Sequence, residues 1–351
     1  MSHRDFARRL VAWQARHGRH DLPWQRERTP YRVWLSEIML QQTQVTTVIP
    51  YFERFTARFA SVADLAAAEI DDVLHLWSGL GYYSRARNLH ATAQRIVVEH
   101  HGVFPDTQDA LATLPGIGRS TAAAIIALAH DRPAAILDGN VKRVLARYHA
   151  EAGWPGESAV LKRLWGHAEQ HLPARRVRDY TQALMDLGAT VCTRTRPSCE
   201  RCPLQRDCRA AAAGNPGDYP GRRPRRSVPH RATCFLIIEN TYGQVLLERR
   251  PPSGVWGGLW CFPEAAHEAD IAARMEELGL IRYRQVARLP AFTHTFTHFR
   301  LAITPLLLRA EEAAKTLRDG HDTHWYSADD STRIGVSAPV ARLLAARTAS
   351  G

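Results

Sequence analysis

Apolar and polar residues alternate with the period of an amphipathic helix from the start of the chain to about residue 213. Thr29 and Pro30 supply an N-cap and a proline at the first helical position, and they predict a helix over 31–40. The same spacing predicts further helices over 70–76, 85–100, 107–114, 120–129 and 180–187. The pattern therefore indicates an all-α domain at 1–213.

The pattern changes at residues 214–231, which hold four prolines, three glycines and five arginines without any periodicity. This composition predicts a basic linker, which we place at 214–230. Beyond it, strand-like runs at 233–238 and 244–248 alternate with helical patterns. We expect those helices at 267–278 and 338–346. The expected fold is thus multidomain, with the all-α domain followed by an α+β domain at 231–351.

Composition narrows the class of protein. A chain of 351 residues with 45% hydrophobic residues can form two ordinary domains with real cores. The longest run of small apolar residues, 122–129, is too short to cross a bilayer, and no apolar signal segment follows Met1. We therefore expect a cytoplasmic protein without membrane contact. The net charge of +11 suggests a polyanionic partner, although a solvated basic surface would give the same excess.

Four cysteines lie close together, as Cys192-x6-Cys199-x2-Cys202-x5-Cys208. Four thiolates in so short a segment are typical of a shared inorganic ligand, and a 4Fe-4S cluster is the favoured one. A four-cysteine zinc site is the alternative, but such sites usually pair their cysteines more evenly. A disulfide framework is disfavoured, because disulfide-rich chains are mostly small and secreted.

Residues 114–122, Leu-Pro-Gly-Ile-Gly-Arg-Ser-Thr-Ala, join two predicted helices through a tight turn. A dinucleotide fingerprint is an alternative, because Asp138 follows at the distance of a ribose-binding acid. Thr121 at the third glycine position and the helix-like segment before the turn argue against it. The favoured interpretation is a helix-hairpin-helix, in which the backbone at Gly116 and Gly118 approaches a phosphate of nucleic acid.

Two acids stand among apolar neighbours, Glu37 on an early helix and Asp138 in the turn after the hairpin. Isolated acids of this kind are usually a helix N-cap or part of a solvated face. Cleavage of an N-glycosidic bond, however, requires one group that protonates the leaving base and one carboxylate that stabilises the sugar cation. We expect Glu37 to keep its proton and Asp138 to stay ionised.

Together, the hairpin, Asp138 and the four cysteines resemble the helix-hairpin-helix, Gly/Pro-Asp superfamily of iron–sulfur DNA glycosylases. Within it, the segments WLSEIMLQQTQV at 34–45, GLGYY at 79–83 and LDGNVKR at 137–143 resemble the MutY-type adenine DNA glycosylases. The resemblance implies that adenine paired with 8-oxoguanine or guanine is flipped out of double-stranded DNA and excised. It also implies a monomer that acts in the bacterial cytoplasm, in association with the nucleoid.

The resemblance assigns roles to individual residues. Glu37 is the expected general acid, which protonates adenine N7 and later activates water. Asp138 is the expected carboxylate at the sugar C1′, with Asn140 as its polar neighbour. Gln42 and Tyr82, with Leu80, are the expected wedge that fills the gap in the base stack, whereas Tyr83 is expected to pack in the core. The remaining expected contacts are Gln41, Lys142 and Arg143 for DNA, and Trp24, Arg19 and Gln182 for the adenine pocket.

Ser120 bears on the type of reaction. Bifunctional relatives that resemble endonuclease III carry a lysine at this position, whose amine forms a Schiff base and cuts the strand. A serine hydroxyl cannot form that imine, so the expectation is a monofunctional hydrolase. The alternatives are a bifunctional glycosylase/lyase and a non-catalytic DNA-binding iron–sulfur protein.

The second domain resembles a Nudix fold, since Gly258-x5-Glu264 and Glu276–Leu280 keep the two ends of a Nudix box. Ala272 and Ala273 stand where Nudix hydrolases carry an Arg-Glu pair, so we do not expect nucleotide hydrolysis. The resemblance instead implies a lesion-recognition domain that contacts 8-oxoguanine through Phe296, Thr297 and His298. We expect these three residues on a strand.

Overall fold

A computed structural model of the protein describes residues 3–224, 227–311, 322–327 and 334–348. The chain divides into two compact units. One comprises Met1–Ala67 and Asn88–Pro224, and the other comprises Ala68–Arg87 and Arg225–Gly351. The second unit thus includes a segment that precedes most of the helical part of the chain.

Helices make up the first part of the chain, as the periodicity predicts. α3 begins at Pro30, and its N-cap Thr29 accepts a hydrogen bond from the Arg32 N–H, so the predicted cap is present. The bounds are α1 His3–His17, α2 Pro23–Arg26, α3 Pro30–Leu40, α4 Val45–Arg58, α5 Val62–Ala67, α6 Ile70–Trp77, α7 Ser84–His100, α8 Gln108–Ala112, α9 Arg119–His130, α10 Gly139–His149, α11 Ser158–Gln170, α12 Val177–Thr190 and α13 Arg209–Ala212.

Helix α9 lies at the centre of the first unit. Its residues 122–128 are all buried, because small and aliphatic side chains cover every face of this helix. α3 and α12 pack against α9, and α12 also packs against α1 and α10. α3, which carries Glu37, therefore packs directly on α9, which carries Ser120, while α12 lies against both α9 and α10, the helix that Asp138 caps.

The second unit contains a mixed sheet, which confirms the predicted α+β class. Strand β1 pairs in parallel with β7 along its whole length, from His230↔Arg300 to Glu239↔Arg309, and the other pairings between the described strands are antiparallel. The sheet order is β3-β2-β1-β7-β5, with β4 beside β1, β6 beside β7 and β8 beside β2. The bounds are β1 His230–Glu239, β2 Val245–Arg249, β3 Trp260–Cys261, β4 Glu264–Ala265, β5 Tyr283–Arg288, β6 Phe292–Thr295, β7 Arg300–Ala310, β8 Thr323–Tyr326, α14 Ile271–Glu277 and α15 Ala338–Thr348.

The segment Ala68–Arg87 makes specific contacts within the second unit. Asp71 forms an ion pair of 2.5 Å with Arg249, and the Tyr83 hydroxyl donates to the Val336 carbonyl at 3.3 Å. A Cβ on Gly335 would lie 2.6 Å from the Leu74 Cβ, so glycine permits the close approach. Tyr83 is buried, in agreement with the packing role expected for it.

The predicted linker at 214–230 includes residues 225 and 226, which lie outside the described residues. Its first part packs on the helical unit, because the Gly221 N–H donates to the Gly153 carbonyl at 2.9 Å and the Arg223 guanidinium lies over the Trp154 ring. In the portions of the chain that the structure describes, none of the helices combines the length and the apolar character needed to span a bilayer. The domain bounds drawn from the sequence stay predictions.

Candidate active site

The hairpin is formed by α8, a turn and α9. Gly116 has a φ of 74°, and a Cβ at this position would lie 2.9 Å from the Asn88 Cβ, so the turn requires glycine. Gly118 is the N-cap of α9, and a Cβ there would meet no atom within 4 Å. The α9 N-terminus is therefore open to an approaching group.

Ser120, in the first turn of α9, accepts a hydrogen bond of 2.9 Å from the Leu137 N–H. Leu137 directly precedes Asp138, so the hairpin helix is tied to the segment that carries the second predicted acid. The structure thus connects Ser120 to the residue that directly precedes Asp138.

Asp138 is the N-cap of α10. Its carboxylate accepts from the Val141 N–H at 2.7 Å and from the Asn140 amide at 3.3 Å. Burial raises the pKa of Asp138 above its ordinary value, while these hydrogen bonds and the Arg143 charge act in the opposite direction. The alternative interpretation of Asp138 as a helix N-cap is therefore correct. The same hydrogen bonds also fix the position of its carboxylate.

Glu37 lies near the C-terminal end of α3, half-buried among fully buried neighbours. Desolvation of its carboxyl is the main cause that raises its pKa to about 8, and the negative charge of Asp138 adds to the effect. Glu37 is therefore largely protonated at neutral pH, as expected from its apolar sequence context. Two carboxyl groups in one site with different environments are typical of acid–base catalysis.

Arg143 connects Asn140 to the cysteine loop. Its Nη2 donates to Asn140 Oδ1 at 2.8 Å and to the Gly188 carbonyl at 2.5 Å, and its Nε donates to the Cys192 carbonyl at 2.7 Å. A Cβ on Gly188 would lie 2.5 Å from the Asn140 Cβ, so the close approach of α12 to α10 requires glycine. These hydrogen bonds direct the Arg143 guanidinium inward, whereas the sequence pattern suggests a DNA contact.

The four cysteines line one small pocket. Arg147, which sequence reasoning missed, is 2% exposed and places its Nη1 3.3 Å from Cys192 Sγ. The same guanidinium donates to four backbone carbonyls, two at the start of the cysteine loop (Thr193 and Arg194) and two after it (Pro216 and Tyr219). Its position four residues after Arg143, on the same helix face, is the signal that could have revealed it.

The predicted wedge residues differ in exposure. Gln42 and Tyr82 are exposed, and both have left-handed backbones, with φ of 58° and 50°. Non-glycine residues in this region are uncommon and cluster at functional sites. Leu80, by contrast, is only 6% exposed. Gln41 is half-buried at the C-cap of α3.

Two of the three predicted pocket residues converge on Asp186, a carboxylate that is fully buried and that sequence reasoning missed. Arg19 binds it through its backbone N–H and its guanidinium, at 2.7–2.9 Å, and Gln182 Nε2 donates to it at 2.9 Å. Gln182 is buried, although a lone glutamine on a helix is usually exposed. Trp24 packs edge-on against Phe52. The spacing of four between Gln182 and Asp186 is the sequence signal for their contact.

Phe296, Thr297 and His298 do not lie on a strand, so that expectation is wrong. β6 ends at Thr295 and β7 begins at Arg300. The Phe296 N–H donates to the Phe299 carbonyl at 2.9 Å, which closes a tight turn between the two strands. The turn exposes Thr297 and His298, while Phe296 stacks on Phe299 at 4.4 Å between ring centroids.

Helix α14 contains the incomplete Nudix box. Ala272 and Ala273 lie in its first turn, and the next residue, Arg274, forms ion pairs with Glu248 on β2 and with Glu277. The Arg274 guanidinium thus neutralises two of the carboxylates that remain in or beside the incomplete box. Among the described residues, no group of three or more His, Cys, Asp or Glu side chains is placed to hold a metal ion.

Family models match both halves of the chain. Residues 35–170 match the model described as HhH-GPD superfamily base excision DNA repair protein. Residues 233–346 match the model described as NUDIX domain. The two matches together cover the regions that hold the hairpin with both acids and the mixed sheet with the incomplete box.

Relatives match over nearly the full chain. An adenine DNA glycosylase of Buchnera aphidicola subsp. Acyrthosiphon pisum is 37% identical over 339 residues, which cover 97% of this chain and 96% of the relative. The adenine DNA glycosylase of Homo sapiens is 34% identical over 398 aligned positions, with coverage of 95% and 72%.

Solved structures match the helical part. A thermostable thymine-DNA glycosylase aligns with a TM-score of 0.55 and 28% identity, over 60% of this chain and 97% of that one. Endonuclease III in a non-covalent complex with DNA aligns with a TM-score of 0.51 over 61% of this chain and 98% of that one. At 22% identity, the second likeness shows the fold alone.

Proposed function

The chain belongs to the adenine DNA glycosylases of the HhH-GPD superfamily, and from this membership we propose that it hydrolyses adenine from A:8-oxoguanine and A:G pairs in duplex DNA. The product is an intact strand with an abasic site. The observation that carries the proposal is the pair of half-buried carboxyl groups, in which desolvation and the charge of Asp138 raise the pKa of Glu37 to about 8.

Glu37 supplies the acid. Its protonated carboxyl donates to N7 of the flipped adenine, which turns the base into a neutral leaving group as the C1′–N9 bond breaks. The carboxylate that remains then accepts a proton from the water that attacks C1′. Because Glu37 is half-buried, both the base and a water molecule have access to it.

Asp138 stabilises the cationic sugar. Burial raises the pKa of Asp138, and the hydrogen bonds from Val141 and Asn140 oppose that shift by favouring the ionised form, which is the form that this role needs. Arg143 fixes the Asn140 amide through Oδ1, so that its N–H faces Asp138. Arg143 is thus proposed as a positioning residue, and Lys142 as the phosphate contact on the same helix.

Ser120 supports a monofunctional reaction. Its hydroxyl is engaged by the Leu137 N–H, next to Asp138, and it offers no amine for a Schiff base. The glycosyl bond is therefore proposed to break by hydrolysis alone.

The residues of the cysteine cavity fit a 4Fe-4S cluster held by Cys192, Cys199, Cys202 and Cys208. All four cysteines line one pocket, next to the Arg147 guanidinium. Four thiolates in one short loop are the donor set that a polynuclear iron–sulfur cluster takes. When bound, the cluster would cross-link the loop at 192–208. Arg194, Arg196, Arg201 and Arg206 are exposed along that loop and are proposed to face DNA.

DNA contacts are proposed for the open N-terminus of α9 and, separately, for the exposed wedge residues Gln42 and Tyr82. Backbone N–H groups at Gly116 and Gly118 would bind phosphate without reading sequence. Tyr82 would insert into the stack when adenine leaves it. The Leu80 side chain is buried, so we propose that only the backbone of Leu80 takes part in the wedge loop.

Gln182 and Arg19 are proposed to shape the adenine pocket, with Trp24 packed nearby. A carboxylate only accepts hydrogen bonds, so Asp186 orients the Gln182 amide with its NH2 toward Asp186 and its oxygen away. An outward carbonyl oxygen suits the exocyclic amine of adenine, which is a donor.

The turn at Phe296, Thr297 and His298 is proposed as the lesion reader of the second unit, and nucleotide hydrolysis is not proposed. The exposed hydroxyl of Thr297 can donate or accept at the base opposite adenine. The protein is proposed to act as a monomer on nucleoid DNA of a bacterial cytoplasm.

One experiment tests the substrates. Purified protein is incubated with duplexes that carry A:8-oxoguanine, A:G, A:C or A:T, and alkali then reveals abasic sites. We expect scission at the adenine of the first two duplexes only, and none without alkali. Thr297→Val should reduce the ratio of excision rates on A:8-oxoguanine and A:G by about tenfold, while Thr293→Val on β6 serves as the matched control. Equal rates on all four duplexes would refute the proposed substrates.

A further inference from the structure

The loop between α6 and α7 holds Tyr82 in a restricted backbone conformation. Gly79, Gly81 and Tyr82 have φ of 96°, 70° and 50°. Tyr82 is the one non-glycine residue of the three, and it is 43% exposed. A side chain that is exposed yet held in the left-handed region requires other groups to fix its backbone.

Arg85, in the first turn of α7, provides such groups. Its Nη2 donates to the Leu80 carbonyl at 3.2 Å and to the Gly81 carbonyl at 3.1 Å. Its backbone N–H donates to the Tyr82 carbonyl at 2.9 Å. One residue therefore holds three consecutive carbonyls of the loop.

The Gly81 carbonyl accepts a second hydrogen bond, from Trp77 Nε1 at 3.1 Å. Two donors occupy both lone pairs of this oxygen. The carbonyl belongs to the peptide unit that joins Gly81 to Tyr82, so its orientation sets the φ of Tyr82. The left-handed conformation of Tyr82 is thus fixed by side chains of α6 and α7.

The guanidinium also contacts the rings beside it. Arg85 Cζ lies 5.3 Å from the Trp77 ring centroid and 5.5 Å from the Tyr82 ring centroid. Trp77 is fully buried, so the guanidinium lies between a fixed indole and the exposed phenol. Burial lowers the pKa of Arg85 to about 10, and the side chain therefore stays protonated at neutral pH.

A buried cation is costly unless its donors are satisfied, and here the acceptors are loop carbonyls. Lysine could not reproduce the arrangement, because a single ammonium lacks the planar fork that bridges two carbonyls and stacks on a ring. Arginine at this position therefore holds the loop carbonyls in a way that a hydrophobic residue or a lysine could not.

We propose that Arg85 is a positioning residue for DNA recognition, which presets Tyr82 for insertion into the base stack. The proposal rests on the proposed wedge role of Tyr82. Arg85 itself does not contact the reacting atoms, so its effect passes through the loop at 79–82.

The test is a double-mutant cycle in the full-length protein. Single-turnover excision is measured on an A:8-oxoguanine duplex, and a 2-aminopurine beside the mispair reports unstacking by its fluorescence. The variants are Arg85→Met, Arg85→Lys, Tyr82→Leu and the two combinations with Tyr82→Leu. Arg95→Met is the matched control, because Arg95 lies on the same helix and pairs with the exposed Glu99 instead of with carbonyls of the 79–82 loop.

We expect Arg85→Met to reduce the excision rate and the fluorescence change by about tenfold, since small misplacements of positioned groups have effects of this size. Arg85→Lys should fall between wild type and Arg85→Met. In the Tyr82→Leu background, either Arg85 substitution should change the rate by less than about twofold. Arg95→Met should behave as wild type.

Three outcomes separate the two levels of the proposal. If Tyr82→Leu leaves excision and fluorescence unchanged, the wedge role of Tyr82 is wrong. If Tyr82→Leu is impaired but Arg85 substitutions act equally in both backgrounds, Arg85 does not work through Tyr82 and the inference is overturned. If Arg85→Met fails to fold, as circular dichroism would show, Arg85→Lys carries the same comparison.

Discussion

The Leu137 N–H donates a hydrogen bond of 2.9 Å to the Ser120 hydroxyl, and this contact joins the hairpin helix α9 to the residue before Asp138. The contact places the position at which lyases carry a nucleophile directly beside the second carboxylate. It also gives Ser120 a structural role. The family resemblance alone implies only that Ser120 lacks the amine that a lyase needs.

Ser120→Ala removes the acceptor of the Leu137 N–H. We expect a loss of about 1 to 3 kcal/mol in the free energy of unfolding, because a partly buried donor is left unsatisfied. Excision should fall with the displacement of Asp138. Ser120→Lys should instead give a covalent complex that borohydride traps, since the helix would hold an amine near C1′. Denaturant unfolding and borohydride trapping measure the two effects, and an active lysine variant that traps nothing would contradict this placement.

Glu37→Gln should lose excision but gain relative stability as pH rises. The folded state raises the pKa of Glu37 from 4.5 to about 8, so folding favours its protonated form. The stability contribution of this group is full below about pH 4.5 and is lost as pH rises toward 8. Glutamine does not titrate. The unfolding free energy of the variant minus that of wild type should therefore increase between pH 5 and 8, by on the order of 2 kcal/mol. A difference independent of pH would show that burial does not raise this pKa.

Asp186→Ala should destabilise the protein and impair excision together. The substitution leaves the Arg19 guanidinium without its buried carboxylate, at a cost of about 3 kcal/mol, and it releases the Gln182 amide. Asp179→Ala is the matched control, because Asp179 lies on the same helix in an exposed pair with Arg176. Thermal unfolding and single-turnover excision provide the readouts, and similar behaviour of the two variants would remove Asp186 from the pocket.

Lys142→Met and Arg143→Met should separate a phosphate contact from an internal positioning residue. Loss of a phosphate contact at Lys142 should reduce the slope of log K against log salt by about one. Arg143→Met should leave that slope unchanged, since its guanidinium binds Asn140 and the carbonyls of Gly188 and Cys192. Binding titrations across salt concentrations measure both slopes. A reduced slope for Arg143→Met alone would reverse the two assignments.

Local sequence signals predicted the fold class of this chain and several of its elements. The Thr29 cap, the small-residue helix α9 and the change of period after residue 213 are local features, and the structure contains all three. The sequence context of Glu37 likewise indicated a raised pKa. These features depend on neighbours in the chain, which is why a single sequence reveals them.

Contacts between distant segments of the chain are harder to predict from the sequence. Asp186 becomes notable only because α1 brings Arg19 to it, and Arg147 only because the chain returns twice past its guanidinium. The sequence pattern wrongly predicts a strand at 296–298, because the aromatic and polar residues of this turn continue the alternation of β6. The hydrogen bond from the Phe296 N–H to the Phe299 carbonyl closes the turn after β6. Residue propensities along the chain do not predict this hydrogen bond.

The pH dependence of excision tests the central claim most directly. Single-turnover rates are measured from pH 5 to 9.5 on an A:8-oxoguanine duplex, with wild type and Glu37→Gln and with saturating enzyme. If Glu37 donates the proton, the wild-type rate should fall above a pKa near 8, and Glu37→Gln should be slower by about a hundredfold or more at neutral pH. A wild-type rate that stays constant through pH 8, or a Glu37→Gln variant that excises adenine at the wild-type rate, would contradict the assignment of Glu37 as the acid.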